Sequence, residues 1–136
     1  MPNLLGSTPS FERYSQNIGT VAASGSPTIP VFVAPCRCQV LGVTLINGAT
    51  VAAHTQNYTS VEIKNVGASG SGNVVLGSIT TTQTGLTALV EREVPLTGEP
   101  TLSRGDVVAA TVTKAGTGAD LTNACIVIEW APRVGR

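Results

Sequence analysis

Short stretches in which Val, Ile and Thr alternate with polar residues recur along this chain, each cut off within about eight positions by Gly, Asn, Ser or Pro, and that rhythm is a strand rhythm. Val61-Glu62-Ile63-Lys64 alternates apolar and charged side chains, residues 107–113 mix small apolar residues with Thr, and residues 124–130 set Ile126, Ile128 and Trp130 on one face. Strands are expected over 28–34, 38–46, 60–65, 73–80, 88–94, 106–113 and 123–131, with an eighth around 15–22. Turn chemistry separates them: Asn47-Gly48, the Gly-rich run 67–72, Thr97-Gly98-Glu99-Pro100, Arg104-Gly105, and the stretch 114–118 with its two glycines. Seven or eight such strands, with little room for helix between them, close as two packed sheets. The expected fold class is therefore an all-β, antiparallel sandwich with jelly-roll-like connections. Residues 50–58 read as a loop, because His54, Thr55 and Gln56 break the alternation there.

A chain of 136 residues is enough for one core. Only 12% of it is charged, against about 25% in an average soluble protein, and eight basic residues cancel eight acidic ones. Such a surface favours association over mutual repulsion, so much of it is expected to be covered by copies of the chain or by a larger assembly, the alternative being a monomer coated with Thr, Ser and Asn. No apolar run approaches the roughly 20 residues that span a bilayer, which argues against membrane insertion. The start, Met1-Pro2-Asn3-Leu4-Leu5-Gly6-Ser7, has neither a basic lead nor a continuous apolar segment, so no secretory signal is expected and synthesis in the cytoplasm is. Two lysines and six arginines balanced by acids, with five scattered aromatic residues, give no stacking platform and no phosphate-binding excess, and direct nucleic-acid binding is not expected.

Chemistry is sparse. The one histidine, His54, lies in a polar loop with no nucleophile elbow near it. Glu91 and Glu93 share a face of an expected strand with Arg92 turned away, an arrangement better suited to a solvated strip or to arginines of a neighbour than to glycoside hydrolysis. The Gly-rich run 67–72 lacks the Lys-Ser/Thr ending of a phosphate loop and joins two strands. Arg104-Gly105-Asp106 spells an adhesion tripeptide, but Gly-Asp entering a strand is an ordinary turn. Cys36, Cys38 and Cys125 are odd in number, against a closed disulfide framework, and are expected as buried free thiols with Cys125 beside the other two. With His54 they would make a four-ligand metal set, but the spacing fits no zinc knuckle. No catalytic, metal-binding or cofactor-binding residues are assigned.

Residues 1–24 differ from the rest: Leu4, Leu5, Phe11 and Tyr14 are scattered among Pro, Ser, Asn and Gly, with Glu12 and Arg13 adjacent. The segment reads as an extended N-terminal arm, unable to bury enough apolar surface alone and so either disordered or laid along a partner, ahead of a sandwich domain at 25–136. The expected contact residues are Leu4, Leu5, Phe11, Arg13 and Tyr14.

The succession of residues 28–33, Cys38-Gln39-Val40-Leu41-Gly42-Val43-Thr44-Leu45, residues 59–64, the Gly-rich connection, Leu102-Ser103-Arg104-Gly105-Asp106-Val107-Val108 and the closing Ile126-Val127-Ile128-Glu129-Trp130 resembles the small β-sandwich decoration (cement) and head-fibre proteins of tailed bacteriophages. The resemblance covers about 100 residues, 28–131. It implies a jelly-roll-like domain, often trimeric, on the exterior of an icosahedral virion, holding neighbouring major capsid protein subunits together against internal DNA pressure. The expected role is thus structural rather than enzymatic: a homo-oligomer, with a trimer favoured, whose partner is the major capsid protein. The competing expectation is a carbohydrate- or receptor-binding module of a phage tail or fibre, with Tyr58 as the candidate stacking residue.

Overall fold

The computed structural model of the protein describes residues 11–133. Its strands are β1 (Glu12–Val21), β2 (Thr28–Val33), β3 (Cys38–Ile46), β4 (Thr59–Gly67), β5 (Val74–Thr80), β6 (Arg92–Glu93), β7 (Thr101–Leu102), β8 (Val107–Lys114) and β9 (Leu121–Pro132). Among the described residues there is no helix, and so none long and apolar enough to cross a membrane. One sheet runs β1-β9-β3, with β6 and β7 on the far edge of β3; the other runs β2-β8-β4-β5, and every pairing is antiparallel.

Both short strands lie along one edge of β3, in the order Leu45↔Arg92, Thr44↔Glu93, Gln39↔Thr101, Cys38↔Leu102. They are two halves of a single edge strand interrupted by residues 94–100. Counted that way the described residues form eight strands paired in nested order, first with last, second with seventh, third with sixth and fourth with fifth. That is a jelly roll, as the sequence led us to expect.

Alternation explains which side chains face inward. Val61 and Ile63 of β4 are buried while Glu62 and Lys64 face out and pair at 3.4 Å. Val108, Ala110 and Val112 of β8, and Ala124, Ile126 and Ile128 of β9, also face inward, in strands paired on both sides. In β3 the pattern changes parity: Cys38 and Val40 face in, then Val43 and Leu45 do. A bulge between Val40 and Gly42 supplies the extra residue, Leu41, and leaves it 46% exposed. Pro30 sits in β2, an edge strand, where its missing N–H breaks no ladder bond on the solvent side. Leu45, Ile63, Leu102, Leu121, Ile126 and Ile128 are fully enclosed between the sheets, each contributing about 1.5–3 kcal/mol of burial before entropy is counted.

Three expectations change. Residues 88–94 were expected as a strand, but only Arg92–Glu93 pairs; the residues before them form a turn held to the loop after β3. Thr101–Leu102 pairs with β3 although its length gave no sequence signal. Of the segment read as an arm, the strand expected around 15–22 is present but starts earlier: Glu12–Val21 is a full edge strand registered on β9 from Glu12↔Trp130 to Val21↔Leu121. Leu4 and Leu5 lie outside the described residues.

Candidate functional site

Three surfaces among the described residues stand out as ones a partner could use. On the outer face of the first sheet, β1, β9, β3 and the residues entering β6 curve round a concavity of about 270 Å³ lined by Arg13, Leu41, Thr44, Glu91, Glu93, Val127 and Glu129. Arg13 Nε lies 3.1 Å from Glu129 Oε2 and Arg13 Nη2 lies 3.9 Å from Glu91 Oε2, so one guanidinium serves two of three carboxylates. Glu91 and Glu93 both line this concavity, and the arginine that Glu91 meets belongs to the same chain. Thr44 Oγ1 is buried here without a hydrogen-bond partner. Nothing in this arrangement assembles a base, a nucleophile and an acid.

The second surface is the open seam between the edge strands β1 and β2. Tyr14, Phe32, Val33, Pro35 and Trp130, with Glu12 and Arg13 at the rim, line a groove of about 360 Å³. Tyr14 and Phe32 have ring centroids 5.8 Å apart, and so do Phe32 and Trp130, both pairs tilted. Phe32 is 7% exposed at the groove floor, whereas Tyr14 and Val33 are 42% and 57% exposed on its walls. Glu12 and Tyr14 stand opposite Trp130 and Ile128, the inward positions of β9, so this edge of the sandwich is closed by partly wet side chains.

The third is the turn before β6, where Leu89 and Val90 are 76% and 54% exposed. Three hydrogen bonds hold it: Ala88 N donates to Thr50 Oγ1 (3.1 Å), Leu89 N to Asn47 O (2.8 Å) and Val90 N to Thr87 O (3.1 Å). This turn was missed because the sequence placed residues 88–94 in a strand. The signal that could have found it is the adjacent pair Leu89-Val90, which breaks a period of two.

The remaining candidates disperse. Phe11, at the start of the described chain, is 46% exposed. His54 Nδ1 accepts the backbone N–H groups of Gln56 (3.0 Å) and Asn57 (2.8 Å), fixing a local turn. Tyr58 is half-buried. Asp106 Oδ2 accepts from Ser103 N (2.9 Å) and Asn65 Nδ2 (3.1 Å), which makes the Arg104-Gly105-Asp106 stretch a structural turn. Cys125 stands opposite Ile46, at the other end of β3 from Cys38, so it does not join Cys36 and Cys38 as expected; all three are free thiols. Among the described residues no group of three or more His, Cys, Asp or Glu is placed to hold a metal.

Cys38 is fully buried, and burial first, then nearby Cys36 and Asp106, push its thiol up from 9.0 to about 11. Between those values the unfolded chain has lost a proton that the folded chain keeps, so stability is undiminished below pH 9 and falls as pH rises toward 11. The expected slope approaches about 1.4 kcal/mol per pH unit. Urea unfolding midpoints measured from pH 8 to 11, with Cys38→Ala as reference, check it; equal slopes in the two proteins would contradict it.

No protein-family model matches the chain, and no curated protein matches it significantly. Among solved structures, it is similar to a chain of the cyanophage Pam1 capsid asymmetric unit, with a TM-score of 0.50 and 17% identity over 91% of this chain and 83% of that one. It is also similar to the infectious bursal disease virus VP2 subviral particle (TM-score 0.41, 12% identity, 93% of this chain and 34% of that one) and to infectious bursal disease virus strain Gx (TM-score 0.39, 14% identity, 93% and 33%). The chain spans about a third of the length of the bursal disease virus chains. The Pam1 likeness shows a shared fold in a chain of similar length.

Proposed function

We propose that this chain is a structural virion protein that decorates the outside of a phage capsid and ties neighbouring major capsid protein subunits together, acting as a homo-oligomer, with three copies favoured. The observation that carries the reading is the fold-level likeness, over nearly the whole chain, to a similarly short chain of a cyanophage capsid asymmetric unit. The physical character of the surface supports it: few charges to desolvate and a stiff two-sheet body. Several copies binding several shell subunits at once gain effective concentration, so each contact need only be moderate.

The shell contact in this reading is the segment ahead of β1, with Leu4 and Leu5, together with Phe11. Arg13 and Tyr14 sit at its root, where Glu129 and Phe32 already engage them. Because β1 is part of the sheet, the test removes residues 1–10 only. The truncated protein is expected to keep its thermal midpoint within about 2 °C, a surface-sized effect, and to lose at least tenfold in co-sedimentation with matching empty heads. Undiminished co-sedimentation would reject the arm as anchor. Failure of the full chain to bind heads, with binding to a glycan array, would favour the carbohydrate-binding alternative.

A further inference from the structure

Leu89 is held in a conformation that leucine rarely adopts. Its φ is +63°, at the third position of a turn closed by the Val90 N to Thr87 O bond, a place that type II turns ordinarily give to Gly or Asn. The same residue is 76% exposed, the most of any large apolar side chain among the described residues. Strain and exposure both count against the folded monomer, and the bonds from Ala88 and Leu89 to Thr50 and Asn47 keep the turn from relaxing. Leu89 and Val90 thus form a preorganised apolar knob.

The chain also carries a receptor of matching chemistry, the seam groove of Tyr14, Phe32, Val33, Pro35 and Trp130. The knob of a copy does not reach the groove of the same copy. The knob is tied through Asn47 to Thr122, near the start of β9, whereas Trp130 lies toward the end of that strand. Eight residues of strand, about 26 Å, separate Thr122 from Trp130. Knob and groove are also on different edges of the sheet, the knob leading into β6 and the groove lying along β1.

We infer that the Leu89-Val90 turn of one copy inserts into the Tyr14/Phe32/Trp130 groove of a second copy, a head-to-tail contact through which copies join into a ring. Because the two patches differ, the contact is heterologous, and each copy in a closed ring gives one knob and receives one. The size of the patches sets the strength. Together they offer on the order of 500 Å² of apolar surface, well below the roughly 1,200–2,000 Å² that a stable interface of ordinary size buries. A single contact is therefore weak, and ring closure, which ties each copy by two contacts, supplies the durability. The inference rests on the reading that copies of this chain associate, not on what they attach to.

Trp130, the one tryptophan, reports on the groove. Sedimentation equilibrium of the full chain from about 1 µM to 1 mM, the span over which weak contacts of this size assemble, should show reversible association, with Trp130 emission moving to shorter wavelength as copies join. Leu89→Gly removes the knob while giving the left-handed position the residue it favours, so it should remain folded and associate at least tenfold more weakly; Leu89→Asn gives a second fold-preserving variant. Val33→Asp places a carboxylate on the groove wall at an exposed position and should have the same effect. Mixing Leu89→Gly with Val33→Asp should restore one intact contact and yield dimers that neither forms alone. A wild-type monomer at every concentration, unimpaired association of Leu89→Gly, or no dimer in the mixture overturns the inference. Co-sedimentation with heads is scored separately: head binding by a protein that fails these tests would sink the ring contact and leave the decoration reading standing.

Discussion

Gly77→Val is expected to lower the unfolding free energy by about 3 kcal/mol or to prevent folding altogether, in the range of overpacked sites that also lose hydrogen bonds. The side chain would have nowhere to go. A Cβ at Gly77 runs into the Pro95 carbonyl oxygen, and its next neighbours, the Pro95 carbonyl carbon at 3.1 Å and Leu96 Cα at 3.3 Å, are backbone too. No flexible side chain can move aside. The contact exists because residues 94–100, which interrupt the edge strand of the first sheet, cross to the edge of the second: Gly77 bridges Leu96, and Thr97 N donates to Leu76 O at 2.8 Å. This crossing closes one side of the sandwich over Leu76, Ile79 and Val94, all buried. Lifting it would expose them and strip β5 of its outer bonds. Gly98→Ala is the control. Gly98 has φ +67° with nothing within 4 Å of its missing Cβ, so only backbone strain of about 1 kcal/mol applies. Equilibrium urea unfolding decides the matter; a Gly77→Val protein within 1 kcal/mol of wild type would mean that the crossing is not held as described.

The strands that the sequence announces are those whose own side chains record the burial. Residues 60–65 and 123–131 alternate because each strand has a buried and an open face, so Val61 and Ile63, or Ile126 and Ile128, stand out without knowledge of their neighbours. The first half of β1 has no such record. Glu12, Arg13, Tyr14 and Ser15 are all exposed, since an edge strand at an open seam buries neither face, and their strand character comes from registration on β9. That is a tertiary fact, and the segment accordingly read as an arm. Residues 88–94 failed in the opposite sense. Their composition suits a strand, yet Leu89 bonds to the loop at Asn47 and takes a left-handed φ that no pattern of leucines and valines foretells. The aromatic groove was illegible for a topological reason: Tyr14, Phe32 and Trp130 meet only because the jelly roll pairs its first strand with its last and folds the second over both. Nested pairing brings together residues that are distant in sequence, and so a surface made at the seam leaves no local motif.

Asn47 carries the other large expected effect. It is 1% exposed, its Nδ2 donates to Ala49 O at 2.7 Å, and its Oδ1 accepts from Thr122 N at 2.8 Å. Its backbone adds a bond at the same corner, from Leu89 N to Asn47 O, and Gly48 N donates to Thr122 O at 2.7 Å. The side chain thus fastens the exit of β3 to the entry of β9, and the backbone carbonyl of the same residue holds the Leu89 turn. Asn47→Leu fills the same space but strands the Thr122 N–H and the Ala49 carbonyl, and two stranded groups should cost about 2–4 kcal/mol. Asn47→Asp keeps the acceptor for Thr122 but turns the donor into a carboxylate oxygen facing the Ala49 carbonyl, at a buried position. It should be at least as damaging at pH 7 and should recover partly on acidification, when a neutral carboxyl can donate to Ala49. Amide exchange at Thr122 should quicken in both variants alongside the loss in urea midpoint, while exchange at Val61 and Ile63, in the other sheet, tracks global stability alone. An Asn47→Leu protein as stable as wild type, with Thr122 still protected, would show that the corner is held by backbone pairing and that the buried amide is dispensable.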